Sequence, residues 1–238
     1  MSNLARFRRM LTSEPASKST SQSVFIVGLG RFGTALASSL VQMGVEVLAV
    51  DVDTELVNEW ADRVTHARIA DATQPATLEQ LGVRHFDAAV VAIGTGMEAS
   101  ILTTAALADV GVPNIWAKAI TTEHGRILER VGAHHVVFPE KEMGERVAHM
   151  VSGQVIDYFQ LDDGFVLAEV PAPKRIQGIP LGETKIRDDF RITVVCVKPS
   201  ASHFTYATAD TVLGAGDLMV IAGAPDDADR FLDEYGAR

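Results

Sequence analysis

The chain contains a single cysteine, Cys196, among its 238 residues, which excludes any intrachain disulfide. Cys196 lies in the apolar run Ile192 to Val197, where a thiol serves as a small core residue in a reducing cytoplasm. Long hydrophobic runs are also missing: none approaches the ~20 residues that a membrane-spanning helix requires. The longest, such as Ala88 to Ile93, have the length of a strand. Arg6, Arg8 and Arg9 near the start are not followed by an apolar core region, so no secretory signal is expected. Positive charge is scarce: 21 Lys and Arg stand against 31 Asp and Glu, a net charge of −10. That balance disfavours nonspecific nucleic-acid binding, which depends on Lys and Arg neutralising phosphates, and it serves solubility. Together these deficits point to a soluble, cytoplasmic chain. It would serve a membrane process only by docking onto another protein.

What is present is a chain 47% hydrophobic, ample for a core. Its most informative stretch is SVFIVGLGRFGTALASSLVQMGVEVLAVD, residues 23–51. Val24 to Val27 read as a buried strand, short and rich in β-branched residues. In the loop that follows, Gly28 permits the tight turn, Gly30 lets backbone approach a phosphate, and Gly33 allows helix and strand to pack closely. A helix over roughly Phe32 to Met43 would aim its free N–H groups and positive dipole end at that phosphate. Glu46 to Val50 make a second strand, and Asp51 at its end is placed to accept hydrogen bonds from a ribose. Its charge argues against a 2′-phosphate. The motif predicts an adenine-nucleotide site against the alternative of a tight turn with no ligand. It leaves the ligand open, since NAD, ATP and ADP share this cradle.

Further along, strands are expected at Ala67 to Ala70, Ala88 to Ile93, Asn114 to Ala119 and His135 to Phe138. Helices near Ala76 to Leu81, Glu98 to Val110 and Thr122 to Val131 separate them. This alternation predicts a doubly wound, Rossmann-like parallel α/β sheet over residues 23–139. Residues 1–22 read as a flexible basic tail, with a short docking helix over Asn3 to Leu11 as the other reading. Residues 140–153 read as a crossover helix, and residues 154–238 as a smaller α+β lobe. In that lobe strands are expected at Phe165 to Val170, Ile192 to Val197 and Leu218 to Ala222, with a closing helix over Asp226 to Tyr235.

The glycine loop with its Arg31 and Phe32, then Ala70-Asp71-Ala72-Thr73, Ala92-Ile93-Gly94, Asn114-Ile115-Trp116-Ala117-Lys118-Ala119 and Pro139-Glu140-Lys141-Glu142-Met143-Gly144 resemble one family. It is the RCK (TrkA-N/TrkA-C) family, domains that regulate potassium conductance. The likeness covers residues 23–235. It implies a cytoplasmic regulatory subunit, a homo-oligomer arranged as an octameric ring of dimers beneath a separate membrane potassium-translocating subunit of the KtrB or TrkH kind. ATP and ADP would favour different ring shapes, with NAD(H) as a further candidate ligand. The resemblance implies adenine contacts near Asp71, Ala72 and Thr73, nucleotide contacts at Ile93 and Gly94, and an Arg31 that reaches the terminal phosphate of ATP. It assigns Glu140 to a divalent or monovalent cation at the dimer interface. In some members the C-terminal lobe binds cyclic di-AMP, and Arg187 falls where a phosphate-binding arginine occurs.

The residues themselves set bounds on such a switch. A charge-assisted hydrogen bond from Arg31 is worth roughly 1.5–3 kcal/mol, whereas moving a two-state ring from 1:99 to 99:1 takes about 5.5 kcal/mol. Several coupled sites, hence an oligomer, are therefore expected. Arg31 is either solvated or meets an anion, the latter because a cation at a helix N-terminus opposes the dipole. Glu140 follows a proline at a helix start, where an acid is favourable without any metal. Lys118 and Lys141 are expected to be exposed charges, with phosphate or interface partners as the other reading, Trp116 is expected to be a core or interface residue, and the seven histidines show no metal-ligand spacing. The rival function is an NAD-dependent oxidoreductase using the same cradle. It would require an acid or base beside a nicotinamide, and no His/Asp or Tyr/Lys constellation is apparent. A redox-sensing transcription factor would require a basic DNA-binding element longer than the 22-residue tail.

Overall fold

The structure, a computed structural model, describes residues 22–153, 155–162 and 164–235. The tail readings for residues 1–21 fall outside it. The described residues divide into two compact units, one ending at Lys141 and one beginning at Glu142.

The first unit opens with β1 (Ser23–Val27), α1 (Arg31–Gln42) and β2 (Glu46–Asp51), followed by α2 (Thr54–Trp60), β3 (His66–Ile69) and α3 (Pro75–Gln80). It continues through β4 (Ala88–Val91), α4 (Met97–Val110), β5 (Ile115–Lys118), α5 (Thr122–Arg130) and β6 (His135–Val137). The six strands are all parallel in the order β3-β2-β1-β4-β5-β6. This is the expected doubly wound α/β sheet, with its order reversing between β1 and β4. Side chains alternate across a strand, so a sheet covered on both faces must be apolar at every position. Phe25, Val27, Leu48, Val50, Ala89 and Val91 enter the core on one face. Val24, Ile26, Val47, Ala49, Ala88 and Val90 enter the core on the other.

Helix α2 was not expected. Asp53 caps it, its Oδ1 accepting from the N–H groups of Glu55 at 2.8 Å and Leu56 at 3.3 Å, and Val57 and Trp60 are its buried residues. Trp116 is half-buried, packed against the second core and stacked on His135 at 4.0 Å. The His134 Nδ1 accepts from the Ile115 N–H.

Helix α6 (Pro139–Val151) crosses the boundary between the units. Beyond it come β7 (Asp157–Asp162), β8 (Phe165–Pro171), α7 (Ile186–Phe190), β9 (Thr193–Lys198), β10 (Thr205–Tyr206), β11 (Leu218–Gly223) and α8 (Pro225–Tyr235). The five strands form an antiparallel sheet in the order β10-β9-β11-β8-β7. Three strands were expected. Strand β7 was missed because Phe159 and Leu161 on its outer face are exposed and acids flank them, and β10 is two residues long. Val166, Ala168, Val170, Met219, Ile221 and Phe231 form the lobe's core. Phe190, Phe231 and Tyr235 meet there with ring centroids 5.0–5.5 Å apart. Cys196 is half-buried rather than a core residue, because it sits on a strand whose face is partly open; burial still pushes its thiol up.

Arg146 on α6 grips Asp157 at the start of β7 with two hydrogen bonds of 2.6 Å. The guanidinium holds the Asp157 carboxyl below its ordinary value of 3.8. A depressed carboxyl stabilises the fold fully above its unfolded pKa, and that contribution is lost as pH falls through the lower folded value. Asp157→Asn should therefore lower stability by about 1–2 kcal/mol at pH 7. The gap between variant and parent in thermal melts should close below about pH 3.8. A gap that persists unchanged at pH 2 would contradict this assignment.

Candidate nucleotide-binding site

The glycine loop joins β1 to α1 at the C-terminal edge of the parallel sheet, and each glycine there has a distinct reason. Gly28 adopts φ +102°, donates its N–H to the Val50 carbonyl at 2.8 Å, and lies so close to Ala92 that a Cβ would stand 3.1 Å from its backbone. A Cβ on Gly33 would lie 1.9 Å from the Gly28 carbonyl oxygen, so only glycine lets α1 pack against the end of β1. Gly30 has ordinary extended backbone and open space where a Cβ would project. The packing around it does not require a glycine, and a ligand would have room to approach there. Among the described residues no side chain caps α1, and its first turn carries no acid, so its N–H groups could meet an anion.

A cavity of about 370 Å³ opens beside this loop, within the range of small-ligand sites. Gly28, Gly30, Asp51, Asp71, Ala72, Thr73, Ile93 and Gly94 line it, bringing together eight of the candidate residues from four strand ends. Thr103 on α4 also contributes, with a buried hydroxyl that has no hydrogen-bond partner among the described residues. Arg31, Phe32 and Gly33 are not part of the lining. Arg31 is exposed on the first turn of α1, and Gly33 is buried behind the loop.

Asp51 braces the loop as well as facing the cavity. Its Oδ2 accepts from the Leu29 N–H at 2.6 Å and its Oδ1 from the Asp53 N–H at 3.0 Å. A carboxylate offers about four acceptor positions, so a ribose would use those left over. Asp71 forms a tight turn in which its Oδ1 accepts from both the hydroxyl and the N–H of Thr73, at 2.7 and 3.0 Å. Those bonds hold the Asp71 carboxyl below its usual range and keep it anionic.

Lys118, expected as an exposed charge, is buried. It ends β5, a central strand, between buried Ala117 and Ala119, and its ammonium lies 2.5 Å from Glu140 Oε1 and 5.8 Å from the centre of the Phe32 ring. The signal for this was a lysine inside an apolar strand that the sheet covers on both faces, where a charge persists only if paired. Glu140, second residue of α6, is held below its ordinary pKa chiefly by that hydrogen bond, with the Arg31 charge adding to it. Glu140 does not by itself fit a metal: it is one carboxylate, already bonded, and among the described residues no three His, Cys, Asp or Glu converge. A cation there would need donors from a second copy of the chain. In the second unit, Arg187 lines a separate hollow of about 350 Å³ together with Lys185 and Asp188.

Comparison with known proteins agrees with the resemblance. Residues 24–139 match the TrkA-N domain and residues 165–236 the TrkA-C domain. The chain is 39% identical over 207 residues to the Ktr system potassium uptake protein C of Bacillus subtilis, covering 87% of this chain and 94% of that protein. It is 36% identical over 210 residues to the Ktr system potassium uptake protein A of the same organism, covering 88% and 95%. Among solved structures it is similar to the GsuK channel bound to NAD, with a TM-score of 0.66 at 19% identity over 99% of this chain. The chain spans 44% of that longer protein, so this likeness speaks for the fold. No helix among the described residues is long and apolar enough to cross a membrane.

Proposed function

The chain belongs to the TrkA-N/TrkA-C (RCK) family of potassium uptake proteins, and from that premise we propose that it is a cytoplasmic nucleotide-sensing subunit that gates a separate potassium-translocating membrane protein. Membership sets aside the oxidoreductase reading. The observation that carries the proposal is the cavity at the strand ends, where open space over Gly30, an uncapped helix start and two oriented carboxylates converge. Such a constellation suits an adenine nucleotide: phosphates over Gly30 and α1, ribose at Asp51, adenine by the Asp71–Thr73 turn. ATP or ADP bound there would bias the shape of a homo-oligomeric ring, an octamer as the family likeness implies, and the ring would pull on its membrane partner. Any interfacial cation at Glu140 would be completed by the paired copy.

Arg31 is the group that distinguishes ATP from ADP. It is exposed at the first turn of α1, where the helix dipole disfavours a cation unless an anion meets it. Arg31→Ala should weaken ATP by about ten- to a hundredfold, the worth of one charge-assisted hydrogen bond, and ADP much less. Titration calorimetry of both variants with both nucleotides measures this, and equal losses would remove its role as sensor.

The test of the function is calorimetry with ATP, ADP, NAD and NADH, paired with light scattering for assembly size. Submicromolar ATP or ADP binding by a large oligomer is expected. NAD(H) is the second reading, since a similar fold is solved as a channel bound to NAD. A monomer that prefers NAD over ATP would overturn the first reading. Cyclic di-AMP belongs in the same titrations, because the hollow beside Arg187 is a concave surface with two cations.

A further inference from the structure

We propose that the second unit holds a small-molecule site of its own: a cavity between the end of β8, the turn before β11 and the last turn of α8. It takes an amphipathic anion, an apolar body carrying one carboxylate or phosphate head. The proposal stands apart from the nucleotide reading and from the hollow beside Arg187.

The cavity measures about 450 Å³, inside the range of small-ligand sites. Every wall belongs to the second unit. Val170, Ala172, Phe231 and Leu232 are buried residues that give it an apolar lining. The wall at Ala172 is fixed before any ligand arrives. Its N–H donates to the Asp217 carbonyl at 2.8 Å, and its carbonyl accepts from the Gln177 Nε2 at 2.8 Å. Pro171 and Pro173 flank it, each with φ locked by its ring.

The head is recognised by Lys174 and Arg175, which open a single short helical turn, Lys174–Ile176. Both line the cavity and both are exposed. The Arg175 guanidinium lies over the Tyr235 ring, 5.0 Å from its centre, which restrains it at the cavity mouth. Its acid neighbour, Glu234, stands 3.6 Å away, beyond hydrogen-bond length. Both side chains are more than half exposed, so that pair is worth little. The five donors of the guanidinium can therefore turn to an oxyanion, which they fit two at a time. Lys174 adds a second positive charge beside it. Glu234 also lines the cavity and would repel a further anionic group, so one head is the limit. A neutral guest would forgo the cations, and a small hydrophilic anion would forgo the apolar walls. Gly153, just past α6, lines the cavity as well. No residue of α6 is buried, so a ligand touching Gly153 would brace a loosely held helix.

The experiment titrates the full chain with two fluorescent probes of similar shape. Anilinonaphthalene sulfonate carries an oxyanion, and N-phenylnaphthylamine does not. Saturable binding of the sulfonate is expected. Arg175→Gln should weaken the sulfonate on the order of tenfold and the neutral probe by less than about twofold. Ala215→Trp puts a large side chain on an exposed residue of the lining and should abolish both signals. Arg187→Gln should change neither. Octanoate and phenyl phosphate compete in separate arms: displacement by the first assigns a fatty carboxylate, and by the second an aryl phosphate. A sulfonate signal that survives both Arg175→Gln and Ala215→Trp arises elsewhere and overturns the proposal. Equal losses of the two probes in Arg175→Gln, or displacement by neither competitor, overturn it too. A chain that passes these tests but binds no nucleotide would overturn the nucleotide reading alone.

Discussion

Gly33→Ala is expected to collapse the cradle between β1 and α1. The added Cβ would stand 1.9 Å from the Gly28 carbonyl oxygen, a backbone atom that cannot rotate aside. Helix α1 must therefore lift off the sheet, dragging the glycine loop with it. Overpacking usually costs 1–3 kcal/mol, and a clash with backbone belongs at or above the top of that range, about 3 kcal/mol. For a chain of this size that is a fall in melting temperature of roughly 10 °C. Nucleotide affinity should drop at least about a hundredfold, since the N–H groups at the helix start lose their aim. Gly30→Ala is the matched control. Open space awaits its Cβ and its backbone is extended, so stability should stay within about 0.5 kcal/mol while affinity falls. Thermal melts and calorimetry on the pair test both halves. A Gly33→Ala protein that melts with the parent would refute the packing account.

The second large effect is expected at Asp51. In Asp51→Asn the carboxamide keeps one oxygen, and its NH2 group must then face one of the two backbone N–H groups that the carboxylate now satisfies. Hydrogen bonds to a charged group are worth about 1.5–3 kcal/mol each. Stability should fall by an amount of that order, and ATP affinity by about a hundredfold where both the loop brace and the ribose bond are lost. Urea unfolding and calorimetry separate the two roles. Lower stability with unchanged affinity would mean that Asp51 only braces Leu29 and makes no contact with a ribose.

Legibility followed how local each feature is. The strand, glycine loop, helix, strand and aspartate at residues 23–51 were readable because every part of that unit has a reason within 30 residues. The six parallel strands were readable because burial on both faces leaves continuous apolar runs. Helix α2 escaped notice although its signal was present: Asp53 two residues before Glu55 is an N-cap pattern, but seven residues hold too little periodicity to stand out. Strands β7 and β10 carried weaker signals still, one with exposed apolar residues among acids and one too short to alternate. Lys118 was misread for a different reason. Its residue type favours solvent, and what overrides that preference is Glu140, 22 positions away.

From the residues alone came the fold class, the turn and packing roles of Gly28 and Gly33, and the family likeness, because hydrophobic period, turn chemistry and short motifs act between near neighbours. Only the tertiary structure decided which carboxylates brace the loop and which cation is buried. Those outcomes depend on strand ends that are distant in the chain and adjacent in the sheet, where the desolvation of one charge is offset by a partner no local pattern reveals.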